Sequence, residues 1–203
     1  MKTDKLKVYA KQKEYFVHIT NGKTDLLPQL VKETCAGKRA ALISDTNVFP
    51  LYGEKVRQGL ENVGYIVFPF VLDAGEQSKN TANLLDILSF LSENGFDRHD
   101  VVLSLGGGVV GDISGLASSL YMRGTRLVHI PTSLLAMVDS CVGGKTAVDT
   151  EYGKNAIGTF YEPDLVWCDT SFLGTLPKNE YVSGMAEVIK YGVISDKKLF
   201  EKT

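Results

Sequence analysis

Short apolar runs alternate with longer amphipathic stretches along most of the chain, which predicts strands separated by single helices. Six apolar runs are predicted strands, at 15–20, 39–45, 65–72, 101–105, 126–131 and 164–169. The predicted helices between them lie at 24–35, 47–63, 78–94, 109–121 and 133–142. Pro69 places the third strand at an edge or a bulge of the sheet. Strands joined by single helices imply right-handed crossovers and a doubly wound parallel sheet.

The alternation of strand and helix changes after Gly143. Segment 145–163 is rich in turn-forming residues and predicts a loop or a small hairpin. Pro177 then opens a predicted helix over 178–193. The apolar positions of this helix predict a core stripe, formed by Tyr181, Val182, Met185 and Ile189. The fold class is therefore α/β, followed by a helix without a strand partner.

Composition excludes several classes of protein. Of 203 residues, 44% are apolar and 23% are charged, which is typical of a globular domain and not of a disordered chain. A net charge of −2 gives no basic excess for nucleic acid or an anionic membrane. The three cysteines are widely spaced and fit a reducing compartment. No run resembles a signal peptide or a membrane span, so we expect a soluble cytoplasmic protein.

Glycine is over-represented, at 20 of 203 residues, and one glycine cluster follows a predicted strand. The pattern Gly106-x-Gly108-x-x-Gly111 opens the next predicted helix, as a pyrophosphate-binding loop does. That fingerprint also expects an acidic residue about 20 positions later, at the end of the next strand. Here the next strand ends instead in Pro131, Thr132 and Ser133, so the acidic residue is missing. The pattern thus leaves two possibilities, a nucleotide site or a tight turn in which Asp112 only favours the helix dipole.

Polar residues recur where four successive strands end. These clusters are Asp45 with Asn47, the run 73–79, the run 106–112, and Thr132 with Ser133. Each cluster alone could be a helix N-cap. Ligands of open α/β sheets bind beyond the carboxyl ends of the strands, so together the clusters favour a ligand cleft.

Charged and polar residues form a second candidate site, in which two lysines lie on glycine-rich segments. They are Arg123, Asp139, Lys145, Lys154 and Asn155. Lysines presented in this way suit a phosphate or carboxylate ligand, although they could also be ordinary surface residues.

In the last helix, Glu187 and Lys190 are neighbours. From spacing alone a solvent-facing ion pair is favoured there over a metal or substrate ligand.

Four segments together resemble one family. They are GGGVVGD (106–112), YMRGTRLVHIPTSLLAMVDSCVGGKTAV (121–148), GKNAIGTFYEP (153–163) and GMAEVIKYG (184–192). In order and spacing they are similar to the dehydroquinate synthase family, within the wider sugar-phosphate cyclases. The resemblance implies a Rossmann-like NAD-binding domain over 1–176. It also implies that 177–203 is the first helix of a truncated α-helical domain for metal and substrate.

The resemblance further implies roles for particular residues. Expected NAD contacts are Asp45, Asn47, Asp73, Gly75, Glu76, Lys79, Gly107, Gly108, Val109, Val110, Gly111, Asp112, Thr132, Ser133, Lys145, Lys154, Phe172, Leu173, Gly174 and Thr175. Expected contacts to a phosphorylated seven-carbon sugar acid are Arg123, Asp139, Lys145, Lys154, Asn155 and Lys190. Glu187 would be one of three ligands of a zinc or cobalt ion, beside two histidines, which replaces the ion-pair interpretation.

The family chemistry implied is that of a carbon–oxygen lyase of the shikimate pathway. NAD+ oxidises an alcohol of 3-deoxy-D-arabino-heptulosonate 7-phosphate, phosphate leaves by β-elimination, and NADH returns the hydride. Ring opening and an intramolecular aldol step then give 3-dehydroquinate. Members are usually dimers, so a homodimer is expected at full length.

The sequence departs from the family after Glu187, where it contains no histidine. We therefore expect a fragment that binds NAD but does not turn over. The alternatives are another cyclase (2-deoxy-scyllo-inosose synthase-like), a relative of the metal-dependent glycerol or alcohol dehydrogenases, and a non-catalytic NAD-binding module. The form GGKTAV around Lys145 favours the dehydroquinate branch, and the segments GKN and MAEVIK disfavour the dehydrogenases.

Overall fold

A computed structural model of the chain describes residues 4–10 and 13–203, so 1–3 and 11–12 of the predicted first domain lie outside the described residues. The strands are β1 (Asp4–Tyr9), β2 (Glu14–Thr20), β3 (Arg39–Asp45), β4 (Ile66–Leu72), β5 (Val101–Gly106), β6 (Arg126–Pro131), β7 (Lys145–Thr150), β8 (Gly153–Phe160) and β9 (Leu165–Asp169). The helices are α1 (Leu27–Thr34), α2 (Glu54–Asn62), α3 (Thr81–Glu93), α4 (Gly108–Leu120), α5 (Lys178–Ser195) and α6 (Lys197–Phe200).

Seven strands form one sheet in the order β1-β2-β9-β6-β5-β3-β4. All neighbours from β2 to β4 pair in parallel, and only β1 is antiparallel. The predicted parallel α/β sheet is confirmed, and β4 is an edge strand, as Pro69 indicated. The prediction missed β1 because this edge strand is exposed along nearly its whole length and has no buried face to impose an apolar pattern.

Helices cover both faces of the sheet. On one face α1 and α2 pack through Leu27, Val31, Val56 and Leu60. On the other face α3 and α4 pack through Leu84, Ile87, Leu91, Ile113 and Leu116. Strand β3 is buried on both sides, with Leu42 in the first cluster and Ile43 in the second. Each such fully buried side chain contributes about 1.5–3 kcal/mol of transfer free energy.

The strand order reverses beside β3. The chain leaves β3 through α2 to reach β4 on one side, and α3 then brings it back to β5 on the other side. The connections after β3 and β5 therefore diverge onto opposite faces, which opens a crevice at the carboxyl ends of these two strands. Two of the four polar clusters that follow predicted strands, Asp45 with Asn47 and the run 106–112, lie at this switch point.

The segment predicted as a loop or small hairpin is the antiparallel hairpin β7–β8, in which Lys145 lies opposite Phe160. Thr146 and Thr159 share a hydrogen bond of 2.9 Å between their hydroxyl groups, and Thr159 donates another to Ser119 of α4. Gly115 makes this packing possible, because a Cβ at that position would lie 2.5 Å from Cγ2 of Thr146. The hairpin therefore lies directly on α4.

Most of the predicted core stripe of α5 is exposed in the described part of the chain, and only Met185 is half-buried. Tyr181, Val182 and Ile189 are 43%, 58% and 40% exposed. The face that packs instead contains Gly184, where a Cβ would lie 2.7 Å from Cβ of Leu134. Close backbone approach, and not apolar side-chain area, therefore decides which face of α5 is covered. Within residues 4–10 and 13–203, no helix is long and apolar enough to cross a membrane.

A buried carboxylate closes the end of β9. Asp169 Oδ1 accepts hydrogen bonds from the backbone N–H groups of Gly22 (2.7 Å) and Ser171 (3.0 Å). Its Oδ2 accepts from Lys23 N–H (2.9 Å) and the Thr24 hydroxyl (3.0 Å). Burial works to raise the pKa of Asp169, but these hydrogen bonds outweigh it and hold the pKa below the usual range.

Replacing Asp169 by Asn should lower the free energy of unfolding by about 2–4 kcal/mol, because several buried donors lose a charged acceptor. Asp86→Asn, at an exposed position of α3, should change it by less than about 0.5 kcal/mol. The stabilising effect of Asp169 should be complete above the unfolded pKa of about 3.9 and disappear as the pH falls through the lower folded value. Denaturant titrations at several pH values measure both effects; equal losses in the two variants would contradict the assignment.

Candidate functional site

The glycine turn between β5 and α4 lies at the switch point. Gly107 is the N-cap of α4 and has no side chain to satisfy the first N–H groups of the helix. A Cβ on Gly107 would lie 3.5 Å from Oγ of Ser133, and one on Gly108 would lie 3.4 Å from Oγ of Ser140. Side chains at these two glycines would thus narrow the space in front of the helix N-terminus. Open N–H groups and the helix dipole make this space suited to an anion.

Asp45 is the last residue of β3, the strand that lies next to β5 at the switch point. Its Oδ1 accepts hydrogen bonds of 2.9 Å from the N–H groups of both Asn47 and Val48, which fixes the turn that follows. The carboxylate stays partly exposed beside the crevice. An ionised carboxylate at such a position can accept hydrogen bonds from the hydroxyl groups of a ligand.

The loop after β4 directs Lys79 into the interior. Gly75 has φ +118°, which a residue with a side chain rarely adopts, and a short 3-10 turn follows at Glu76–Ser78. Lys79 is only 5% exposed. Its ammonium donates hydrogen bonds of 2.5 Å to Oδ2 of Asp112 and of 2.5 Å to Oδ1 of Asn155.

The hairpin is fastened to the same point through its backbone. Asp149 donates its N–H to the carbonyl of Lys79 (2.9 Å) and accepts from Asn155 N–H through Oδ1 (2.6 Å). Asn155 has φ +54°, a left-handed conformation that asparagine tolerates better than most residues. We call Lys79, Asp112, Asp149 and Asn155 the Lys79 junction. It joins the loop after β4, the first turns of α4 and the β7–β8 hairpin.

Burial sets the protonation behaviour near the junction. It raises the pKa of Asp112, and the hydrogen bond and charge of Lys79 oppose that rise. Burial also lowers the pKa of His129, on β6 beneath Gly111, to about 4. His129 is therefore neutral near pH 7, and its Nδ1 lies 2.6 Å from the Ser104 hydroxyl inside the core. It supports the sheet and does not face the crevice.

A cleft of about 500 Å³ lies between the hairpin, α4 and the segment that carries Asp139. Four predicted site residues line it: Asp112, Asp139, Lys145 and Asn155. Lys145 donates a hydrogen bond of 3.1 Å to Oδ1 of Asp139. The lysine side chain remains 56% exposed, so its ammonium can still meet a ligand. The cleft and the crevice are neighbours, separated by the Lys79 junction.

Other predicted residues are at the rim or elsewhere. Lys154 pairs with Glu76 at 3.2 Å, and both are exposed. Lys190 pairs with Glu187 on α5, which raises the pKa of Lys190. Arg123 is exposed beyond the carboxyl end of α4, opposite the Gly108 end, and does not line the cleft.

Two predicted cofactor residues have side chains in the core. Phe172 is 2% exposed, and its ring centroid lies 4.4 Å from that of Tyr52. Val110, in the first turn of α4, is 1% exposed and packs into the core between α4 and the sheet. Only their backbones are available to a ligand. Four other predicted cofactor residues are exposed: Asp73, Gly75, Gly174 and Thr175. Thr132 is buried beside the glycine turn.

The sequence interpretation missed Asp149 and Tyr191. Asp149 lies in the turn-rich hairpin segment, and only its pairing with Lys79 reveals its role. Tyr191 donates a hydrogen bond of 3.2 Å to Oδ1 of Asp139. One available signal was its position seven residues after Gly184, which places both on the same face of α5.

The described residues do not make a metal site by themselves. No group of three or more His, Cys, Asp or Glu side chains in residues 4–10 and 13–203 could hold a metal ion. Glu187 offers one carboxylate, which faces Lys190. We therefore derive no chemical step through a metal.

These features define a doubly wound α/β protein with a crevice at its switch point and, beside it, a polar cleft that contains Asp112, Asp139 and Lys145. Residues 69–183 match the family model described as 3-dehydroquinate synthase N-terminal. Because this match covers more than half of the chain, the chain belongs to the 3-dehydroquinate synthase family, in its N-terminal part.

Individual relatives agree with this membership. A 3-dehydroquinate synthase of Thermodesulfovibrio yellowstonii is 46% identical over 198 residues, which is 98% of this chain and 55% of the relative. A 2-epi-5-epi-valiolone synthase of Streptomyces hygroscopicus, solved with NAD+ and Zn2+, is 33% identical with a TM-score of 0.84, over 96% of this chain and 53% of that one. A 2-deoxy-scyllo-inosose synthase has a TM-score of 0.87 at 24% identity, over 94% of this chain and 52% of that one, and shares the fold. The chain spans about half the length of the curated relatives it matches.

Replacing Lys79 by Met should lower the free energy of unfolding by about 3 kcal/mol or more, because the Asp112 carboxylate would remain buried without its cation. Adding Asp112→Asn to Lys79→Met should recover part of the loss, since the unpaired charge is then gone. The control Lys154→Met breaks an exposed pair and should cost less than about 1 kcal/mol. Denaturant unfolding measures all three; a loss no larger for Lys79→Met than for Lys154→Met would contradict the junction.

Proposed function

We propose that this chain forms the NAD-binding part of a 3-dehydroquinate synthase, which converts 3-deoxy-D-arabino-heptulosonate 7-phosphate to 3-dehydroquinate and phosphate. The observation that carries the proposal is the adjacency of two features joined by the Lys79 junction: the open N-terminus of α4 at the switch point, and a cleft that contains Lys145, Asp139 and Asn155. The reaction needs a dinucleotide and a phosphorylated sugar acid side by side. Relatives named 3-dehydroquinate synthase at 46% identity support the same choice.

The residues of the crevice fit NAD. The N–H groups at the start of α4, beside Gly107 and Gly108, would hold the pyrophosphate. Asp45 would accept hydrogen bonds from a ribose. The remaining predicted contacts stay part of the proposal, with Val110 and Phe172 contributing backbone only. When bound, NAD+ supplies a hydride acceptor, which the protein itself lacks.

The cleft would hold the phosphorylated substrate. Lys145 and Asn155 line it, and Lys154 and Lys190 would add positive charge at its margins. Asp139 would accept a hydrogen bond from a substrate hydroxyl, while the neighbouring Lys145 ammonium stabilises negative charge that develops on an oxygen. Arg123 stays part of the proposed substrate contacts, although it does not line this cleft.

The proposal has three further parts. Glu187 would be one metal ligand, and the others would come from outside the described residues. Residues 1–176 would form the NAD domain, and 177–203 would begin a helical domain of a homodimeric enzyme. A cytoplasmic location is supported by three cysteines that are all free and buried.

A cyclase with a different product is the second candidate. The 33% identical 2-epi-5-epi-valiolone synthase supports it, because that relative is named for a different product and was solved with NAD+ and Zn2+. The higher identity to 3-dehydroquinate synthases, 46%, favours the first candidate. Incubating the natural full-length protein with each phosphorylated sugar, NAD+ and Zn2+ or Co2+ separates the two. The proposal predicts 3-dehydroquinate and phosphate from the heptulosonate phosphate, and turnover of another sugar phosphate alone would overturn it.

Calorimetric titration should detect NAD+ binding to the 203-residue chain. Gly108→Val should weaken it about 10-fold or more, because the added side chain fills the space in front of Ser140. Gln29→Val adds a valine to the exposed first turn of α1 and should leave affinity within about 2-fold. A folded chain without NAD+ binding would remove the cofactor assignment.

At natural full length, Glu187→Gln should lower bound metal and synthase activity together, because an amide is a weaker metal ligand than a carboxylate. Metal analysis by mass spectrometry measures the content, with Glu180→Gln, an exposed carboxylate on the first turn of the same helix, as the control. Unchanged metal content in Glu187→Gln would exclude it as a ligand.

A further inference from the structure

Tyr191 lies where α5 meets the rest of the molecule. Gly184 allows the backbone of α5 to approach Leu134 and Leu135, at the start of the segment that carries Asp139. Tyr191 comes two helical turns later on the same face, and its ring is half-buried. The packing that Gly184 permits therefore brings the Tyr191 hydroxyl to the edge of the cleft.

The Tyr191 hydroxyl and the Lys145 ammonium bind the same oxygen. Tyr191 donates at 3.2 Å and Lys145 at 3.1 Å, both to Oδ1 of Asp139. Two donors on one oxygen fix the rotation of the carboxylate about its Cβ–Cγ bond. Within residues 4–10 and 13–203, no hydrogen bond engages Oδ2 of Asp139. This oxygen is thus held in a defined orientation and is available to a ligand.

The ring of Tyr191 has a second contact. The Lys190 ammonium lies 4.9 Å from its centroid, within the range of a cation–π interaction. Lys190 also pairs with Glu187. Tyr191 therefore contacts both charged groups of interest, the Asp139–Lys145 pair in the cleft and the Glu187–Lys190 pair on α5.

We propose that Tyr191 is a positioning residue for substrate, an inference that rests on the proposed function. Its hydroxyl holds Asp139 so that Oδ2 receives a substrate hydroxyl while Lys145 remains beside it for a neighbouring anionic oxygen. Tyr191 acts through Asp139 and does not itself touch the reacting atoms. A tyrosine serves here because its hydroxyl donates to the carboxylate while its ring packs against Lys190.

The test compares Tyr191→Phe with Tyr181→Phe, an exposed tyrosine on the same helix, in the natural full-length protein. Tyr191→Phe should raise KM for the heptulosonate phosphate about 10-fold, the usual size for losing a hydrogen bond to a charged group. It should leave kcat within about 2-fold, because the lost contact stabilises the bound substrate and the transition state equally. The Kd for NAD+ should also stay within about 2-fold. Tyr181→Phe should change none of these constants.

A double-mutant cycle with Asp139→Asn separates positioning from general stability. If Tyr191 acts through the carboxylate, adding Tyr191→Phe to Asp139→Asn should raise KM by less than about 2-fold. Two results would overturn the inference while the proposed function stands. One is full additivity of the two substitutions in their effects on KM, and the other is a KM for Tyr191→Phe equal to that for Tyr181→Phe. A wild-type protein without synthase activity would overturn the proposed function itself, and the inference with it.

Discussion

A buried ammonium is strongly unfavourable unless negative or polar oxygens surround it, and Lys79 imposes this constraint on the whole site. Its partners come from elements far apart in sequence, Asp112 from α4 and Asn155 from the hairpin. Satisfying one charge therefore requires the loop after β4, the first turns of α4 and the hairpin to meet. The crevice and the cleft consequently have a fixed relation to each other.

The sheet provides the frame in which this meeting occurs. Parallel strands bring their carboxyl ends to one edge, and the reversal of order beside β3 opens the crevice there. Glycines at 107 and 108 leave the N-terminus of α4 approachable, and Gly184 lets α5 pack against the segment of Asp139. Backbone access thus determines where a cofactor and a substrate can lie, and a few charged side chains determine the chemistry.

Much of the frame was predictable from sequence because buried strands need apolar residues on both faces, as Leu42 and Ile43 illustrate. The crevice was predictable as well, since Asp45 and the glycine turn each follow such a strand. The Lys79 junction was not, because its contacts span up to 76 residues and depend on a left-handed Asn155.

The face of α5 that packs against the described residues was not predictable from apolar periodicity, for a related physical reason. Apolar periodicity registers side-chain area, whereas Gly184 packs by having no side chain. Family resemblance supplied roles for residues but not the hydrogen bonds that hold them.

The central claim is that the β3–β5 switch point holds a dinucleotide and that the Lys79 junction joins it to the cleft of Asp139 and Lys145. A crystal structure of the protein grown with NAD+ tests this most directly. The account predicts pyrophosphate oxygens within hydrogen-bond distance of the N–H groups at the start of α4, and a ribose beside Asp45, with Lys79 still bound to Asn155. NAD+ bound elsewhere, or a crevice that stays empty at saturating NAD+, would contradict it.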